Sequence, residues 1–177
     1  MRKILLFTSC LFILQSCIPL RIAPKIDDHK ITKGKKFKRS LPERQMFIFE
    51  DPKDVNHFYR FVDTKFRLND ENVYDDVPFI VAGEQYFFSF YEVEIPNKVL
   101  NLGAVFADAI LIQTGNGPLF EEKHTTRDGH WYIAMEVYSD KENDCLSENS
   151  LFREAVLSYL TTLKEEYLST YNYLHQP

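Results

Sequence analysis

Glycine, cysteine and long apolar runs are all scarce in this chain, and each shortage excludes a class of function. With 6 glycines in 177 residues there is no glycine-rich loop whose backbone N–H groups could cradle a phosphate. No serine stands in a nucleophile-elbow motif. Asp140, Glu142 and Asp144 alternate as calcium ligands do, but Cys145 stands where an EF-hand needs glycine and Leu151 where it needs the bidentate glutamate. The apolar run 4–14 is eleven residues long, which as helix reaches about 16 Å and cannot cross a hydrocarbon core of about 30 Å. Bases are also few from residue 46 onward, 10 against 23 acids, and a net charge of −13 there repels the phosphates of a nucleic acid.

The amino-terminal segment is informative. Met1-Arg2-Lys3 gives a positive start to the uncharged run 4–14, the pattern of an export signal and not of a membrane span. Leu14-Gln15-Ser16-Cys17 comes at once after it. The segment resembles the signal of a bacterial lipoprotein precursor, with these four residues as its lipobox. That resemblance implies cleavage between Ser16 and Cys17, removal of 1–16, and acylation of Cys17. Two or three acyl chains, at roughly 0.8 kcal/mol per buried methylene, hold a protein on a membrane far more firmly than one. The implied location is the bacterial cell envelope, lipid-anchored, on the outer membrane facing the periplasm. With Cys10 discarded and Cys17 acylated, Cys145 is the one remaining thiol, so no intramolecular disulfide forms. The globular part resembles no characterised family.

Charge divides the chain beyond Cys17 into two parts. Residues 18–45 carry nine bases against three acids, +6, ahead of the −13 remainder. Few large apolar residues and no sustained period mark 17–45 as a basic, flexible tether. Such a leash spans about 30 Å, and its lysines are drawn toward anionic head groups or simply solvate a linker. Residues 46–177 hold all 10 tyrosines and all but three of the 15 phenylalanines, enough for one acidic domain.

Periodicity supplies the elements of that domain. A strand is expected over 46–50. Asp51 as cap and Pro52 at the first position then open a helix running to about residue 68, with Val55, Phe58, Tyr59, Val62 and Phe66 on one face. Strands 79–82 and 85–95 flank Gly83-Glu84, read as a type II′ hairpin, and Pro96-Asn97 closes the second. Residues 99–112 have helical spacing, 131–138 alternate as a strand, and Ser150 caps a last helix reaching about residue 170. The class is α+β, an antiparallel sheet of about four strands packed with helices. The order of elements suits a ferredoxin-like split βαβ with an added long carboxy-terminal helix.

Chemistry-bearing residues are sparse. Glu121, Glu122, His124, Asp128 and His130 lie within ten residues, a donor set suited to zinc. The two histidines lack the i, i+4 register of a helical zinc site, however, and Arg127-Asp128-Gly129 reads as a turn. A polar loop accounts for them, so no metal or other cofactor is expected; His124, Asp128 and His130 are the candidate ligands if one binds. Glu92 and Glu94 share a strand face as a candidate carboxylate pair, more simply read as a solvated strand end. The candidate binding face carries Tyr86, Phe88, Phe90, Glu92 and Glu94, beside Tyr132, Glu136 and Tyr138. Left open, it offers aromatic rings edged by carboxylates to a partner with a basic surface; covered by the last helix, it is core.

Three functions fit: a non-catalytic binding or assembly lipoprotein, an immunity or inhibitor lipoprotein that blocks a basic toxin or enzyme, and a metal-dependent hydrolase using the loop from His124 to His130. The first is expected, with the membrane as one partner through the lipid, a basic protein surface as the other, and no nucleic acid.

Overall fold

A computed structural model of the chain describes residues 17–53, 56–101 and 125–170. Its class is α+β, an antiparallel sheet with helices. The strands are β1 (Cys17–Arg21), β2 (Lys30–Lys33), β3 (Gln45–Asp51), β4 (Val77–Val81), β5 (Glu84–Asn101) and β6 (Thr125–Tyr138). The helices are α1 (Gly34–Phe37), α2 (His57–Phe66) and α3 (Arg153–Ser169). The strand order is β1-β5-β6-β3-β2, with β4 also paired to β5. In a split βαβ sheet the strand at 45–51 would lie beside β5. Here β6 takes that place, so the ferredoxin-like order is corrected while the class stands.

The chain forms two compact units, Met1–Pro24 with Glu94–His130, and Lys25–Val93 with Trp131–Pro177. In the smaller unit β1 pairs antiparallel with the end of β5, Cys17 opposite Asn101. Strand β5 does not stop at Pro96-Asn97 but runs through them. The Asn97 side chain accepts the N–H of Ala23 at 2.6 Å, just beyond β1. Of the helix expected over 99–112, residues 99–101 are strand and the rest lie outside the described residues.

The larger unit contains the main core. Alternation places Phe47 and Phe49 of β3, Tyr86, Phe88 and Phe90 of β5, and Ile133, Met135 and Val137 of β6 in one buried cluster. Phe58, Phe61 and Val62 of α2 and Val156, Leu160, Leu163 and Tyr167 of α3 join it, with Val73, Val77, Phe79, Cys145 and Leu146. Both helices lie against the same sheet face; of the stripe expected on α2, Phe58 and Val62 are buried and Tyr59 and Phe66 half-buried, Phe61 joins them from outside it, and Val55 lies outside the described residues. Phe58 shows how close this packing is, its ring centroid 4.8 Å from Phe90 and 4.9 Å from Tyr167.

Three local expectations are revised. Asp51 ends β3 instead of capping a helix, and α2 begins at His57 after Asn56 at φ 68°. Asp51 does make the cap-type bond, accepting the backbone N–H of Lys53 at 3.0 Å, and also accepts the Tyr167 hydroxyl at 2.9 Å to each oxygen, but the helix starts only at His57. The hairpin turn is Ala82-Gly83, since Val81 pairs with Glu84. Both turn residues have positive φ, 51° and 82°, the signature of type I′ and not II′. At the last helix Ser150 does accept an N–H, that of Phe152 at 3.2 Å, one residue outside α3.

The largest correction concerns the leash. Residues 30–33 form β2 in register with β3, from Lys30 opposite Ile48 to Lys33 opposite Gln45. Ala23, Ile26 and Leu41 are buried. A segment with few apolar residues folds here because an edge strand takes its stability from the ladder hydrogen bonds of a neighbour that is already apolar and ordered. The larger unit thus begins at Lys25 and not at residue 46.

Candidate functional site

The eight residues expected on one face occupy different places. Tyr86, Phe88 and Phe90 are buried under α2 and α3. Glu92 is half-buried on β5 in the larger unit, while Glu94 is exposed in the smaller one. Tyr132, Glu136 and Tyr138 belong to the opposite sheet face, where their β5 companions are Phe87, Ser89 and Tyr91. The single face is therefore corrected: β5 and β6 pair in the register that brings 87, 89 and 91 alongside 136 and 138.

Among the described residues, that second face has its cover at one end. Residues 34–44 fold over it, with the Phe37 ring edge-on to Tyr132 at 5.1 Å and Met46 and Ile48 fully buried. Gly34 lies so near β3 that a Cβ there would stand 2.7 Å from the Met46 sulfur and against the Pro42 carbonyl. Beyond this cover Phe87, Tyr91 and Tyr138 are half-buried. Phe87 stacks on Tyr138 at 6.1 Å, and the Arg44 guanidinium lies 5.4 Å from the centre of the Tyr138 ring.

Carboxylates organise the tyrosines. Glu136 is only 6% exposed; it accepts the Tyr91 hydroxyl at 2.8 Å and faces Arg44 at 3.4 Å. Tyr138 donates its hydroxyl to Asp76, and Ser89 lies 3.2 Å away. Burial first, then the acceptor Glu136 and the charges of Glu136 and Asp75, push the Tyr91 phenol well above its ordinary pKa. Tyr138 is raised likewise by burial and by its bond to Asp76. Both phenols therefore stay protonated donors at neutral pH. Asp75 and Asp76 are exposed beside them. The result is a shallow surface of protonated tyrosines and one phenylalanine, edged by the Asp75 and Asp76 carboxylates and by the Arg44 guanidinium. Such a surface offers rings and hydrogen-bonded phenols for contact, with each tyrosine hydroxyl already engaged by a carboxylate.

On the helix-covered side the polar groups have a fastening role. Lys53 donates its ammonium to the carbonyls of Tyr167 and, at 2.8 Å, Thr170, the orphan acceptors at the end of α3. Desolvation, followed by the charge of Asp51, raises the Glu92 carboxyl above the ordinary range, and burial raises Asp51. Cys145 is buried beside Ser139, and burial pushes its thiol upward, away from reactivity.

The remaining candidates from the sequence are scattered. Cys17 heads β1. Ser16, Glu121, Glu122 and His124 lie outside the described residues, and Asp128 is in β6. His130 Nε2 lies 2.8 Å from the Asn97 side-chain nitrogen, in the smaller unit. Because Ala23 fixes the Asn97 oxygen, that nitrogen is the donor and the imidazole lone pair is engaged. In the acidic loop Asp144 accepts the N–H of Gln45 and Glu142 the hydroxyl of Ser150.

Phe87, Ser89, Tyr91, Arg44 and Asp76 are site residues that the sequence pattern does not single out. Alternation separates the two faces of β5, but which of them joins Glu136 depends on strand register. Comparison of the chain with family models, with curated proteins and with solved structures finds no match.

Proposed function

We propose that this protein is a lipid-anchored lipoprotein of the bacterial envelope whose larger unit is a non-catalytic binding module for a partner with a basic surface. The carrying observation is the half-open sheet face on which Phe87, Tyr91 and Tyr138 lie among Glu136, Asp75 and Asp76. Aromatic rings provide rigid contact area at low entropic cost, and the surrounding carboxylates select cationic side chains. The anchor rests on the lipobox resemblance at Cys17.

Site-specific photocrosslinking in cells tests the module. A crosslinker at Phe87 or Tyr91 is expected to trap one partner with a basic surface, and the same group at Leu151, 94% exposed and remote in sequence, none. Loss of the adduct on Glu136→Gln with Asp76→Asn is expected as well. An identical adduct pattern at Leu151, or an acidic partner, refutes the reading. If the trapped partner is a secreted basic enzyme, the module is an inhibitor; if a resident envelope protein, it is an assembly factor. Intact mass of the native amino terminus tests the anchor separately.

A further inference from the structure

The folded segment that replaces the expected leash concentrates positive charge. Lys30, Lys33, Lys35, Lys36 and Arg39 are exposed on β2, α1 and the turn after it, with Lys38 half-buried among them. Between residues 30 and 44 the one acid is Glu43, 3.4 Å from Lys35. Hydrogen bonds fix the segment: Gly34 N–H to the Arg44 carbonyl at 3.0 Å, Lys35 N–H to Pro42 at 3.1 Å, Lys38 N–H to Gly34 at 2.9 Å and Leu41 N–H to Lys38 at 3.0 Å. Buried Leu41 and the Phe37 contact with Tyr132 hold it from within. The backbone that carries these cations is therefore folded and not a random coil; Lys33, Lys35, Lys36, Lys38 and Arg39 follow one another along a ridge at the end of β2 and through α1, while Lys30 lies on the other face of β2 from Lys33.

We propose that this ridge is a docking surface for an anionic lipid bilayer. The inference rests on the lipoprotein reading for its biological setting. Lys33 is sixteen residues from Cys17, so an acylated Cys17 keeps it within about 55 Å of the lipid surface even with the connection fully drawn out. Five of the six cations are lysines, compact charges without the planar fork that arginine uses for geometric recognition. Four to eight such charges close to an anchor is the composition that anionic head groups attract. Glu43 is the one acid among residues 30–44 and is already paired with Lys35, so the segment keeps a net positive charge with which a docked ridge orients the larger unit.

The test uses the full chain carrying Cys17→Ala, so that no acyl group contributes, floated with vesicles of phosphatidylcholine with and without phosphatidylglycerol. Anionic vesicles are expected to retain at least roughly tenfold more protein than neutral ones, with the preference fading as salt is raised. Reversal of the ridge by Lys33→Glu, Lys36→Glu and Arg39→Glu is expected to abolish that preference. A charge-matched reversal at Arg60, Lys65 and Lys141, all in ion pairs elsewhere, is expected to preserve most of it. Equal retention on both vesicle types, or equal loss in the two reversals, would overturn the proposal. So would a ridge that ignores vesicles and retains an acidic polypeptide, which assigns the surface to a protein partner. Absence of acylation in the native mass leaves the vesicle result standing, so the two readings fail independently.

Discussion

Successive residues of one strand have opposite fates in the larger unit. Phe88 and Phe90 lie beneath two helices with ring neighbours, whereas Phe87 and Tyr91 are half-buried on a face that, among the described residues, 34–44 cover at one end. The sheet itself does not distinguish its sides, since β3 buries Met46, Phe47, Ile48 and Phe49 alike. What differs is the cover: two amphipathic helices on one side, one short basic turn on the other. Stability concentrates where the cover is apolar and continuous, and recognition is left to the side where it stops.

The contrast can be broken most forcefully at β5. Phe88→Ala is expected to cost about 3–5 kcal/mol, as loss of a large buried ring does, while Phe87→Ala costs about 1 kcal/mol or less, both read from denaturant midpoints at constant slope. Equal costs would mean that the two faces are equivalent. An intermediate effect is expected at the cover. Gly34→Ala drives a methyl group against Met46 and Pro42 and is expected to cost about 1–3 kcal/mol, with chemical-shift changes centred on 34–46 and not on α3.

The smallest effect sharpens the comparison through pH. Glu92, with Asp51 beside it, has a raised carboxyl pKa. A raised native pKa means that the folded protein holds its proton more tightly than the unfolded chain. The associated stability is complete below the ordinary carboxylate range and declines as pH rises through the raised native value. Glu92→Gln is therefore expected to raise the melting temperature slightly at pH 7 and to leave it nearly unchanged at acid pH. A variant that is destabilised at neutral pH, or one whose effect ignores pH, contradicts that assignment.

Much of the frame was legible in residue order. The apolar faces of α2 and α3 and the alternation of β5 and β6 are local signals, because a side chain's direction follows from its own backbone. The ends of β5 were less so: Pro96-Asn97 looks like a stop, yet Asn97 is held by Ala23 from seventy-four residues earlier in the chain. The basic segment misled for a related reason. Its composition is that of a linker, and its order comes from β3, not from itself.

Class, helix faces and the charge division were thus determined by sequence alone, since each depends on neighbours within a few residues. Tertiary structure alone decided that β6 lies between β5 and β3, that Glu136 meets Tyr91 and Arg44, and that the cationic segment is a folded ridge. Those are matters of register and pairing between distant strands. No local period encodes them, because shifting a strand by one residue preserves its alternation and exchanges its two faces.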